Sequence, residues 1–341
     1  MIDEGKAYTP GSSFRARAEA QQRRFRAQVL QLGYGEHAHW LTKEDAQRGA
    51  NFYGHAHAEV LARAEERKGV DKARTLGNML SSQAMCFNIF GNLRTAEGMA
   101  IASKALRAFV PTLEKVKRIH LEYTPLNAVF GDQSGRGGVD CDVLIEYETT
   151  QGGGGLLSIE TKFVEAEFST CGFRKRTGKA DASLACCPEG TCHRQDFSGC
   201  LYARKKGYRY WEQSRRLQTL KPDILGGGSP CPFGGGLWQL WVNHTLAHAE
   251  AQERQLQEAA FAVCAPRGND ALLKGGNTIA TFRNLLTRPA SILFIPVEDL
   301  VDALESSVVP DRFWQDWIVY LKKRYLVGER CPTTDASNEL R

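Results

Sequence analysis

Two short stretches decide the fold: Val139-Asp140-Cys141-Asp142-Val143-Leu144-Ile145 and Leu157-Ser158-Ile159-Glu160-Thr161-Lys162-Phe163. Both are dense in strand-forming residues, and the tetraglycine Gly152–Gly155 lies between them. That pattern predicts an antiparallel hairpin with strands over 139–147 and 156–164. Alternation puts Glu160 and Lys162 on one face and Ile159, Thr161 and Phe163 on the other. Asp140 and Asp142 share a face of the neighbouring strand. A solvated hairpin would use such charges as cross-strand pairs worth well under ~1 kcal/mol each. The 159–163 run instead reads as buried on both sides, where a Glu and a Lys are unusual unless they work as a unit.

Outward from the hairpin, helical spacing marks 79–93, with Met79, Gln83, Phe87 and Phe90 on one face, and 95–109. Gln83 is thus a polar side chain on an apolar stripe. A short strand at 119–123 places Ile119, Leu121 and Tyr123 on one side. Downstream come a long helix over 237–261, a buried strand at 291–297 and a closing helix at 312–325 with Trp314, Trp317, Ile318 and Leu321. Residues 165–231 read as irregular. A basic amphipathic helix at 12–32 reads as packing one stripe on the domain, and the tail from Glu329 is polar. The expected architecture is α/β, with a central mixed β-sheet flanked by helices. It divides into an N-terminal helical extension (1–78), a core (79–305) and a C-terminal helix and tail (306–341).

Carboxylates on adjacent strands are hard oxygen ligands of the kind that hold Mg²⁺ or Mn²⁺ beside a phosphate. Such an ion makes a bound water more acidic and offsets charge that develops on phosphorus oxygens. A protonated lysine beside them can orient the attacking water and stabilise the transition state. Asp142, which leads directly into Val143-Leu144-Ile145, is the first ligand candidate with Glu160; Asp140 is a further one.

Asp142…Glu160-Thr161-Lys162 resembles the PD-(D/E)XK motif of restriction-endonuclease-like nucleases, within a matching order of helix, Asp-bearing strand, Gly-rich turn and E-x-K strand. The resemblance covers roughly residues 79–300. It implies a restriction-endonuclease-like core and a catalytic set of Asp142, Glu160 and Lys162. In that superfamily an acidic or amide residue on the first core helix often completes the metal site, which points to Gln83. RecB-like members carry a supporting Gln on the helix after the E-x-K strand, and Gln239 matches best. Asn243 stands where those members have a Tyr.

The chain has 341 residues, 42% hydrophobic and 9% aromatic, which excludes wholesale disorder. Its net charge is +5. Residues 171–222 alone hold 12 Lys/Arg against 4 Asp/Glu, so the remainder is net acidic. Arg174, Lys175, Arg176, Arg204, Lys205, Lys206 and Arg209 are therefore the nucleic-acid-binding candidates. Phe173, Tyr202, Tyr208, Tyr210 and Trp211 interleave with them as stacking candidates. The same segment (171–231) is cysteine-rich, and Cys187, Cys192, Cys200 and Cys231 are candidates for a zinc or iron–sulfur site, although no C-x-x-C pair is present. His37/His39 and His55/His57 fit no hydrolase pattern, and His244 and His248, four apart on a helix, lack the Glu of H-E-x-x-H. They read as helix-surface or partly buried residues.

The polar N-terminus and the lack of a ~20-residue apolar run lead to the expectation of a cytoplasmic protein without signal peptide or membrane span. The expected function is Mg²⁺-dependent hydrolysis of DNA phosphodiesters in restriction, defence or repair, with RNA and oligomeric state left open. The alternative is a non-catalytic nucleic-acid-binding protein whose cysteine-rich segment is a zinc or iron–sulfur module.

Overall fold

A computed structural model of the chain describes residues 2–66, 69–125, 127–131, 140–172, 200–226 and 231–328. The hairpin is its centre. β2 (Cys141–Thr149) pairs antiparallel with β3 (Gly154–Thr161), Val143 facing Ile159 and Tyr147 facing Gly155. Gly155 is required there: a Cβ would stand 2.2 Å from the Tyr147 ring. β1 (Leu113–Tyr123) adds antiparallel on one side of β2. β4 (Glu258–Ala265) and β5 (Ile292–Pro296) continue parallel beyond β3, giving a five-stranded mixed sheet in the order β1-β2-β3-β4-β5.

Alternation along the strands separates two cores. Val143, Ile145, Tyr147 and Ile159 face the helices Ala96–Leu106, Val297–Glu305 and Arg312–Tyr325, through Ile101, Leu106, Val301, Leu304 and Trp317. Leu144, Leu156, Phe261 and Val263 face the helix Leu237–Glu253, through Leu240, Trp241 and Leu246. The N-terminal helix Phe14–Arg24, capped by Ser13, joins the first core: Phe14 meets Phe163 edge-on at 6.4 Å, and Gln22 donates to the Arg324 carbonyl at 2.6 Å.

Several local expectations change. The helix that starts at Leu237 stops at Glu253. Gln255 then adopts a left-handed φ of 57°, and the chain enters β4. Ala259, Ala260 and Ala262 favour helix locally, but a parallel strand buried over Phe261–Ala265 carries no polar alternation to announce itself. The described residues from 200 to 226 are also less irregular than expected, with helices at Leu201–Lys206, Tyr210–Arg216 and Pro222–Leu225. Tyr210 and Trp211 are core residues rather than stacking surfaces. Trp211 packs against Phe233 at 5.4 Å and Trp241 at 4.7 Å, and both residues are at most 2% exposed. Burial of each such side chain contributes ~1.5–3 kcal/mol, so a helix face rich in aromatics goes inside. No helix among the described residues is long and apolar enough to cross a membrane.

Candidate active site

The site lies where β1, β2 and β3 end together. Glu160 occupies the penultimate position of β3 and is 4% exposed. Its Oε1 accepts from Lys162 Nζ at 2.8 Å and from Gln239 Nε2 at 2.7 Å; its Oε2 accepts from Asn243 Nδ2 at 2.6 Å. Gln239 and Asn243 stand four apart on Leu237–Glu253, so one helix face presents both amides to one carboxylate. The Gln239 amide is itself oriented, because its Oε1 accepts from Ser169 N at 2.9 Å.

Asp142, the second residue of β2, reaches across the hairpin. Its Oδ2 accepts from both the backbone N and the hydroxyl of Thr161 at 2.6 Å. Lys162 follows directly after β3, and its backbone N donates to the Cys264 carbonyl at 2.9 Å, which extends the β3–β4 pairing by one residue. Its side chain is thereby held over the strand ends, where it is 8% exposed.

The electrostatics are those of too many carboxylates for one cation. Burial first, and then the Glu160 charge, push the Asp142 carboxyl up to about 7. Burial also raises Glu160, against the pull of Lys162. Burial alone would lower Lys162, but Glu160 and Asp142 outweigh it and hold the ammonium pKa above its ordinary value. Lys162 is therefore a charged donor at neutral pH.

The remaining expected residues fall in different places. Gln83 touches neither Asp142 nor Glu160. Its Nε2 donates to Glu122 Oε1 at 2.7 Å and to the Gly69 carbonyl at 2.9 Å, while its Oε1 accepts from the Thr75 hydroxyl. Asp140 is exposed just before β2. Lys206 and Arg209 are exposed, Arg209 beside Glu212 at 3.8 Å, and Arg204 and Lys205 lie on the Leu201–Lys206 helix. Arg174, Lys175, Arg176, Cys187 and Cys192 lie outside the described residues. Cys200 is buried and Cys231 half-buried. Among the described residues no group of three or more His, Cys, Asp or Glu side chains is set to hold a metal directly, so nothing there supports a zinc or iron–sulfur site. His244 and His248 are buried, and burial lowers the pKa of each, to about 4 for His248.

Two contacts escaped the sequence reading: Thr161 to Asp142, and Asn243 as a donor to Glu160. Asn243 was visible as the residue at the Tyr position of the RecB-like pattern. The structure shows that an amide there still reaches the carboxylate.

Two carboxylates from adjacent strands, a lysine bonded to one of them and two helix amides fixing that same carboxylate define a nuclease-type site on an α/β sheet. The chain matches the PD-(D/E)XK nuclease superfamily over residues 10–186 and 234–327 and belongs to it. The match skips 187–233, within and just beyond the cysteine-rich basic segment. No curated protein and no solved structure matches the chain.

Proposed function

We propose that this chain hydrolyses DNA phosphodiester bonds with Mg²⁺ or Mn²⁺, through Asp142, Glu160 and Lys162. The observation that carries the reading is the Glu160 carboxylate, buried, bonded to Lys162 and fixed by Gln239 and Asn243. The donor set fits a hard divalent cation. Its groups are carboxylate oxygens whose raised pKa values record a shortage of positive charge.

Asp142 and Glu160 would hold the ion, with Asp140 at the rim. When bound, the ion supplies an activated water and offsets charge on the scissile phosphate. Thr161 keeps Asp142 turned towards Glu160 through two hydrogen bonds. Gln239 and Asn243 restrain Glu160, so its remaining lone pairs need no reorganisation when substrate arrives. The Lys162 ammonium, already within hydrogen-bond distance of Glu160, presents its other N–H groups to the attacking water or to the non-bridging phosphate oxygens. The basic 171–222 segment would meet the DNA backbone through Lys206 and Arg209 and the cations around them, and such contacts weaken as salt rises. DNA as substrate, and a role in restriction, defence or repair, rest on this charge pattern together with family membership.

Plasmid incubated with the full chain and Mg²⁺ should be nicked or linearised. Glu160→Ala should abolish cleavage and Lys162→Ala should slow it by about 10²–10³-fold or more, both while retaining DNA binding. Cleavage that survives in both variants would refute the assignment; tight binding by the wild type without any cleavage would favour the non-catalytic alternative.

A further inference from the structure

The penultimate residue of β1 has no role in the proposed reaction. Glu122 adopts a left-handed φ of 49°, a conformation that a non-glycine residue rarely takes. The reversal breaks the strand's alternation. Leu121 stays in the core with Ile119, whereas Tyr123 crosses to the other face, where its hydroxyl donates to Glu250 Oε2 at 2.6 Å. Glu122 is turned inward and is 4% exposed. The register that pairs Leu121 with Val143 and Tyr123 with Cys141 leaves Glu122 across the ladder from Asp142.

A buried carboxylate opposite a second, half-buried carboxylate is costly unless something holds it there. Gln83 supplies that restraint: it donates to Glu122 Oε1 while anchored to Gly69 and Thr75. Gly69 closes the other side, since a Cβ on it would lie 2.7 Å from Glu122 Oε2. A Gln, a Gly and a strained strand end thus converge on one carboxyl group beside Asp142. Glu122 is not grouped with Asp142 and Glu160 as a third direct metal ligand. Mg²⁺ and Mn²⁺, however, keep part of their hydration shell, and partners beyond the direct ligands tune affinity.

We propose that Glu122 is a positioning residue of the metal site: an outer carboxylate, held by Gln83, whose charge and free acceptor capacity draw the hydrated divalent cation towards Asp142. This rests on the nuclease reading for the site itself and extends it to a residue on a third strand. It also gives Gln83 a task, since the amide on the first core helix acts through Glu122.

The test is Mn²⁺ binding to the full chain by electron paramagnetic resonance titration, with the melting temperature in chelator measured in parallel. Glu122→Gln should weaken Mn²⁺ binding about tenfold and raise the melting temperature of the metal-free chain, because it removes a buried like charge. Gln83→Ala keeps the charge but frees it, and should show part of the affinity loss without that rise. A merely structural Glu122 would give the reverse: a lower melting temperature with affinity unchanged. Wild-type affinity in Glu122→Gln overturns the proposal while leaving the nuclease reading intact. Loss as complete as in Asp142→Asn would make Glu122 a direct ligand and overturn the outer role. No Mn²⁺ binding by the wild type would overturn both. Should Glu122→Gln fail to fold, unchanged affinity in Gln83→Ala is enough to overturn it.

Discussion

Two polar clusters sit along the same strands and the same helix, and they are built on opposite electrostatic principles. At the strand ends, Asp142 and Glu160 share Lys162, and Glu122 stands across the ladder from Asp142. Further along, Glu146 of β2 accepts from His120 of β1 at 2.7 Å and from Arg254 at 2.5 Å, and Arg254 also binds Tyr123 and Glu250. The His120 hydrogen bond, with Arg254 beside it, lowers the Glu146 pKa, whereas all three carboxylates at the strand ends are raised, each chiefly by burial. Asp142 and Glu146 are four residues apart on β2. A chain that balances charge at one point and leaves it unbalanced at the next is using the first for structure and the second for binding.

The largest effect that could break this contrast is on catalysis. Lys162→Ala should cost about 10²–10³-fold or more in the rate of plasmid cleavage, the usual cost of losing a charged donor to a transition state. A change below tenfold would remove the lysine from the chemistry. Next are the residues that orient Glu160. Gln239→Ala and Asn243→Ala should each cost about 10- to 100-fold in Mn²⁺ affinity or cleavage rate. Asn243→Asp, which replaces a donor with a like charge, should be the worse substitution at that position. The balanced cluster should respond differently. Arg254→Met leaves Glu146 and Glu250 without their shared cation and should destabilise the fold by about 1–3 kcal/mol, measured by urea unfolding, with cleavage by the folded fraction retained.

The smallest effect, and the sharpest in sign, is in pH. Asp142 has a folded pKa near 7, above its ordinary 3.8. Its stabilising contribution is complete below pH 3.8 and is lost as pH rises towards 7, so the metal-free chain should lose stability across that window. Glu146 is depressed below its ordinary 4.5. Its contribution is present above 4.5 and is lost as pH falls below that value. Melting curves in chelator should therefore show Asp142→Asn flattening the neutral side and Glu146→Gln flattening the acid side. The same side flattened by both would erase the distinction.

How much of this is legible without coordinates depends on how each feature is encoded. The hairpin, Asp142, Glu160 and Lys162 are written in residue identity and period, and Gln239 in its spacing from the hairpin. β4 is hidden because its Ala-rich run satisfies helix propensity, and only the open position beside β3 makes it a strand. Tyr210 and Trp211 mislead because aromatics among cations describe a nucleic-acid surface and an amphipathic helix equally well; packing against Trp241 and Phe233 decides the matter. Glu122 is hidden for a geometric reason. Alternation assigns it the same face as His120, and a single left-handed φ, invisible in composition, sends it to Gln83.

Plasmid cleavage in Mg²⁺, with wild type, Asp142→Asn and Glu146→Gln assayed side by side and the melting temperature of each taken in chelator, tests the central claim most directly. The account predicts that Asp142→Asn abolishes cleavage and melts higher at neutral pH, while Glu146→Gln melts lower and still cleaves. Cleavage by Asp142→Asn at the wild-type rate would contradict it.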